Sequence, residues 1–206
     1  MGGFKLRTDL AAKEHLDATI TALSTFFGGR SDCFFTTSFG YQSALLFFLL
    51  SEAGVKLNCL AISSPLAFGG IERQRDTLLA RFDPYFECVD RSDWLADQLR
   101  GRDFLELSEI ERGMICRSMK RDAVEQYVNK NEHKVWFTGV RRDQSDVRAS
   151  FTHIENHEYG LIKAYPILHW NAAEVERVIS LAGLPMNKEY VDICKLNGQK
   201  ECGLHV

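Results

Sequence analysis

No run of apolar residues in the 206-residue chain is long enough to cross a bilayer. The opening Met1-Gly2-Gly3-Phe4-Lys5-Leu6-Arg7 lacks the apolar core of a secretory signal, and it lacks the Ser or Thr that an N-terminal acylation start requires. A cytoplasmic protein without a membrane partner is therefore expected. Excess positive charge is also missing. The 25 Lys and Arg stand against 28 Asp and Glu, a net charge of −3, so no global basic field marks a nucleic-acid binder and none is expected as a partner. Internal repeats, low-complexity tracts and a linker are absent too. One domain spanning 1–206 follows, with a mobile C-terminal tail from about 190.

What the sequence does contain is an alternation of two periods. Residues 9–27 carry Leu10, Leu16, Ile20, Leu23 and Phe27 at helical spacing, and Gly28-Gly29 stops them. Short apolar and β-branched runs read as strands at 33–37, 57–62, 85–89, 134–138 and 161–166. Between them lie helical stretches at 44–53, 71–82, 92–128 (broken around Gly101 and Gly113) and 172–182, the last capped by Asn171 and ended by Gly183. Strands alternating with helices imply an α/β fold: a parallel, doubly wound sheet of about five strands with helices on both faces. In such sheets ligands sit beyond the carboxyl ends of the strands. That rule selects Ser38–Ser43, Ser63–Pro65 and Gly139–Arg148 as site segments.

Each segment admits a plain reading beside a chemical one. Ser38-Phe39-Gly40-Tyr41-Gln42-Ser43 opens a helix, and its hydroxyls and amides either shape a turn or hold a phosphate. Arg141, Arg142 and Arg148 either pair with Asp143 and Asp146 on a solvated surface or fork onto phosphate and sulfate oxygens. His169 on its own reads as a structural partner. Six cysteines occur, and in a reducing compartment an even count does not imply disulfides. Cys33, Cys59 and Cys88 lie in or beside apolar runs and read as buried, inert thiols. Cys116, Cys194 and Cys202 have polar neighbours and remain open for chemistry. In the tail Lys200-Glu201-Cys202-Gly203-Leu204-His205, Cys202 is either an incidental thiol on a frayed end or a nucleophile whose pKa Lys200 and His205 lower.

These strings together resemble the sulfonucleotide reductases, the family of phosphoadenosine phosphosulfate (PAPS) and adenylyl sulfate (APS) reductases. Thr37–Ala44 resembles the family's modified PP-loop, S-x-F-G-x-x-x-A, more than the S-G-G-x-D-S loop of ATP pyrophosphatases, where Phe39 and Gln42 replace a Gly and the Asp. Gly139–Ala149 resembles G-x-R-R-E-Q-S-x-x-R-A with Asp143 in place of Glu, and Trp136–Gly139 leads into it like W-F-A-G. Tyr165–Trp170 is similar to L-P-I-x-D-W with His169 for Asp, and the tail matches E-C-G-L-H. The resemblance implies a substrate site of Ser38, Phe39, Gly40, Ser43, Lys120, Arg141, Arg142, Gln144, Ser145, Arg148 and His205. It implies Cys202 as the nucleophile that forms an S-sulfonate, with thioredoxin or glutaredoxin releasing sulfite. A homodimer is a further implication.

The chain departs from the family in two places. Ser63-Ser64-Pro65 stands where D-T-G meets the nucleotide. The double-cysteine frame of the APS-reducing members keeps only Cys116 and Lys120, and Cys194 finds Asn197 where a C-x-x-C partner belongs. A cluster-free PAPS reductase with no tightly bound cofactor is the first expectation. The rival is a 4Fe-4S cluster on Cys116, Cys194 and Cys202. Two further readings keep the fold: an ATP-pyrophosphatase-type sulfur-transfer enzyme, and a non-catalytic nucleotide-binding module.

Overall fold

Alternate residues of the run 33–37 enter two different cores. Cys33 and Phe35 join a cluster with Leu23, Phe27, Phe47, Phe137 and Val178, while Phe34 joins Leu60, Val124, Tyr127 and Trp136 on the opposite face. Period-two alternation with both faces buried is what a strand sandwiched between helix layers requires. Phe34, Phe35, Phe47 and Phe137 are each at most 1% exposed, so each contributes roughly 1.5–3 kcal/mol of burial.

The structure is a computed structural model that describes residues 2–194, with side chains from Leu10 onward. In order the chain forms α1 (Gly2–Phe27), β1 (Cys33–Thr37), α2 (Ser43–Glu52), β2 (Asn58–Ser63), β3 (Ala67–Phe68), α3 (Ile71–Phe82), β4 (Tyr85–Asp90) and α4 (Ser92–Leu99). It continues with α5 (Glu109–Lys130), β5 (Val135–Phe137), α6 (Asp146–Ala149), β6 (Ile154–Asn156), β7 (Ile162–Ala164), α7 (Ala172–Leu181) and β8 (Val191–Asp192). The main sheet has the order β4-β2-β1-β5-β7-β6, and β3 pairs with β8 in a small second ladder. Among the described residues no helix is long and apolar enough to cross a membrane.

All neighbouring pairs of the main sheet run parallel except β6 with β7. The α/β class and the doubly wound, mostly parallel arrangement thus agree with the sequence. The sixth strand does not appear there, because three residues with only one half-buried between two exposed ones show no period. Helix α1 begins at Gly2, earlier than the apolar spacing indicates. Gly113 does not break α5. A capping box between Ser108 and Glu111 starts that helix, and its inner face buries Cys116, Met119, Ala123, Val124 and Tyr127. That burial outweighs the cost of one helical glycine, about 1 kcal/mol. Gly101 does end α4, with φ +82° after Arg100 at +50°.

The chain order places the site. From β1 the chain moves outward to β2 and β4, then returns to the other side of β1 as β5. The crevice between the carboxyl ends of β1 and β5 is therefore the topological switch point, where open α/β sheets take their ligands.

Three cysteine expectations change. Cys33 and Cys59 are fully buried, and burial pushes the Cys33 thiol up to about 11 and Cys59 further up. Cys88, by contrast, is exposed on the outer strand β4. Cys116 and Cys194 are not in polar surroundings. They are 3% and 4% exposed among Leu66, Leu95, Phe104, Leu107 and Met119, and they form a disulfide. Arg117 and Arg121, which make the linear neighbourhood of Cys116 look polar, turn outward on the other face of α5. The tail expected from about 190 is part of the fold as far as Cys194, with Val191–Asp192 in β8 and Cys194 in the disulfide, whereas its residues from 195, with the nucleophile candidate Cys202 and His205, lie outside the described residues.

Candidate functional site

The loop after β1 is shaped by one unusual residue. Phe39 has φ +52°, the left-handed region that a side chain enters only at a cost. Its ring is 2% exposed and packs on Phe47 and Phe86, and its amide donates to Thr37 Oγ1 at 3.0 Å. A position that is glycine in the pyrophosphatase loop keeps glycine-like backbone here, and ring burial offsets the strain. Gly40 follows because a Cβ there would meet the Tyr190 ring at 3.3 Å and Ser38 Oγ at 3.4 Å. No described side chain caps α2; its first residue, Ser43, lines the crevice, and the Ser43 and Leu45 amides donate to Gly40 O at 3.1 Å and Gln42 O at 3.2 Å.

The loop after β5 faces it. Arg141 donates from Nε to Asp143 Oδ1 at 2.9 Å and from Nη1 to Gln42 Oε1. Asp143 in turn accepts from the Ala172 amide at 3.2 Å, the first turn of α7. Gln144 Oε1 accepts from the Arg141 amide at 3.0 Å and from Arg148 Nη1. Gln42 closes the gap between the loops by donating from Nε2 to Gly139 O at 2.9 Å. A carboxamide that both accepts from Arg141 and donates to a carbonyl does what an aspartate at position 42 cannot. The sequence holds no local signal for this role, since the contact spans 97 residues.

Between these loops lies a cavity of about 680 Å³. Of the expected substrate residues it is lined by Ser38, Gly40, Ser43, Lys120, Arg141, Gln144 and Arg148. Phe39 does not reach it and acts through its backbone. Arg142 turns away: Nε and Nη2 donate to Phe151 O, and Nη1 lies 3.1 Å from His169 Nδ1. His169 sits against His153, and burial, then His153 and Arg142, lower its pKa. Ser145 caps α6 by accepting from the Arg148 amide at 3.4 Å, so it positions an arginine and does not line the cavity. The chemical capacity is that of an anion site: two buried arginines (6% and 4% exposed) and a lysine share the cavity with the Ser38–Ser43 turn.

The segment 186–192 contributes residues that sequence motifs did not mark. Lys188, Tyr190 and Asp192 line the cavity, with Asp192 Oδ2 3.7 Å from Lys120 Nζ. Asn187, 3% exposed, donates from Nδ2 to Phe39 O at 3.1 Å and Gly69 O at 2.9 Å, tying the segment to both neighbouring loops. Asn187→Ala is expected to cost about 1–3 kcal/mol of stability by leaving both carbonyls unpaired. Asn187→Asp should cost more, because it sets an acceptor against two acceptors. Urea midpoints of the two variants decide this, and Asp milder than Ala would overturn the assigned contacts.

A resident iron–sulfur cluster takes four cysteine sulfurs as a rule. The described residues offer Cys116 and Cys194 near one another, already bonded together, and no group of three or more His, Cys, Asp or Glu placed to hold a metal. The third cysteine of the cluster reading, Cys202, lies outside the described residues.

Against known proteins, the family defined as the phosphoadenosine phosphosulfate reductase domain matches residues 32–195. The adenosine 5'-phosphosulfate reductase of Bacillus thuringiensis (strain Al Hakam) is 26% identical over 163 residues, covering 77% of this chain and 67% of that protein. The protein of the same name from Bacillus anthracis (strain CDC 684 / NRRL 3495) is 26% identical with 77% and 70% covered. The chain thus spans about two thirds of the length of these curated relatives. Among solved structures, phosphoadenylyl-sulfate (PAPS) reductase from Candida auris superposes with TM-score 0.63 at 18% identity, covering 85% of this chain and 89% of that one. Candida glabrata FMN adenylyltransferase gives 0.63 at 15% identity, covering 87% of this chain and 59% of that one. At such identities these two superpositions speak for the fold alone.

Proposed function

This chain belongs to the phosphoadenosine phosphosulfate reductase domain family, and on that premise we propose that it reduces an adenine sulfonucleotide to sulfite through a protein S-sulfonate. The observation that carries the reading is the cavity at the switch point, where Lys120, Arg141 and Arg148 face the Ser38–Ser43 turn. The turn holds the nucleotide end. The two guanidiniums take the phosphosulfate and meet the charge that builds on the departing phosphate oxygen. The Cys202 thiolate attacks the sulfonate sulfur. The sulfur–oxygen bond breaks, and the nucleotide leaves with the bonding electron pair on its phosphate. A dithiol of the thioredoxin or glutaredoxin class then attacks Cys202 Sγ, expels sulfite, and resolves its own mixed disulfide with its second thiol.

PAPS is the first substrate proposed. APS is the second reading, favoured by the names of the curated relatives. The test is incubation with 35S-labelled PAPS or APS without reductant, followed by peptide mapping. Label is expected on Cys202 and should leave as sulfite when dithiol is added. No label from either nucleotide, with ATP cleaved to pyrophosphate, would replace this reading by an adenylating one. Nucleotide binding with neither chemistry would leave a binding module.

A further inference from the structure

The disulfide lies one helical turn from the cavity. Cys116 and Lys120 are four residues apart in α5, and Cys194 follows Asp192 by two. Asp192 connects the two. Its side chain is 4% exposed, Oδ1 accepts the Cys194 amide at 3.0 Å, and Oδ2 faces Lys120 Nζ and accepts from Tyr190 Oη at 3.4 Å. Lys120, Tyr190 and Asp192 all line the cavity. The sulfur–sulfur bond therefore anchors the segment that forms one cavity wall.

Besides the disulfide, that wall is held by the Lys120–Asp192 contact, the packing of Met186 and Ile193 on the core, a short ladder, an exposed ion pair and Asn187. The ladder of β3 with β8 comprises two residue pairs, Ala67↔Asp192 and Phe68↔Val191, extended by Ile193 N donating to Leu66 O at 2.7 Å. Two-stranded ribbons of this size are marginal in water. The Arg73–Glu189 ion pair is 70% and 61% exposed and contributes little. Asn187 holds the near end of the segment, and the disulfide holds the far end.

We propose that the Cys116–Cys194 disulfide is a redox latch on the nucleotide cavity: oxidised, it holds the segment 186–194 as a cavity wall, and reduced, it releases that wall and weakens nucleotide binding. The proposal rests on the sulfonucleotide reading of the site. The chemistry is a two-electron exchange. A dithiol reductant breaks the sulfur–sulfur bond and becomes a disulfide itself, and each cysteine sulfur takes one electron and one proton. The two thiols then remain as small apolar groups among Leu66, Phe104 and Met119. Freed from Cys194, the backbone at Asp192 opens, and the site must spend part of its binding energy on re-forming the wall.

Amide hydrogen exchange of residues 186–194 and titration with adenosine 3',5'-bisphosphate, which cannot react with a thiol, test this on the full chain. Oxidised protein is compared with protein reduced by excess dithiothreitol. Expected on reduction are at least tenfold faster exchange across 186–194 and a Kd about tenfold higher, both reversed on reoxidation. The Cys116→Ala/Cys194→Ala double variant should match the reduced form with or without reductant, which separates the latch from Cys88 and Cys202. Exchange that is indifferent to reduction overturns the latch. So does an unchanged Kd beside changed exchange. If neither form binds this nucleotide or adenosine 5'-monophosphate, the product that APS would leave, while exchange still responds to reduction, the sulfonucleotide reading falls and the redox-held wall stands.

Discussion

Cys202→Ser is expected to lower sulfonucleotide reduction by about 10⁴-fold or more, the scale seen when a covalent nucleophile is removed. A thiolate forms at neutral pH and a serine alkoxide does not, so the variant has no group that can attack the sulfonate sulfur. The loss should fall on turnover while the affinity for adenosine 3',5'-bisphosphate stays within about twofold, because the turn and the arginines remain. Single-turnover sulfite release and a binding titration on the same preparation check both halves. A variant that still releases sulfite at one tenth of the normal rate would remove Cys202 from the mechanism. The attacking group would then be sought in the external dithiol, with nucleotide bound in the same cavity.

Arg141→Ala is expected to reduce kcat/KM by about 10²–10³, as loss of one charge-stabilising donor does. It should also destabilise the fold by about 1–2 kcal/mol, because Gln42 loses a donor and the Asp143 carboxylate, 36% exposed, loses its ion pair. Arg141→Lys keeps the charge but not the fork, and should recover less than half of the lost activation free energy. The neighbouring Arg142→Ala supplies the contrast. Its guanidinium is spent on Phe151 O and His169, away from the cavity, so activity should fall less than tenfold although stability also drops. Steady-state kinetics alongside urea denaturation distinguishes the two arginines. A larger activity loss at Arg142 than at Arg141 would mean that the cavity-facing role has been given to the wrong residue.

The adjacent arginines show where the sequence stops being informative. The string from Gly139 to Ala149 identifies an arginine loop at a strand end, but Arg141 and Arg142 are one residue apart and their side chains leave in opposite directions. Which one reaches the cavity depends on partners at Gln42 and Phe151, and no local pattern encodes them. Much of the fold, by contrast, was readable. The runs at 33–37, 57–62 and 85–89 and the helix over 71–82 agree with the structure to within about a residue, because burial on one or two faces imposes a period on the residues themselves.

The sequence by itself thus determined the α/β alternation, two of the strand ends that carry the site (the third segment, Ser63–Pro65, does not line the cavity), and the chemical types gathered there. Tertiary structure alone decided which side chains share the cavity, that segment 186–192 forms its wall, and that Cys116 meets Cys194 across 78 residues. The physical reason is one of range. A period of 2 or 3.6 is written in neighbours, so local composition preserves it. The facing of Gln42 to Gly139 or of Asn187 to Phe39 arises only when a sheet brings distant loops to one edge, and the residues involved carry no mark of their partners.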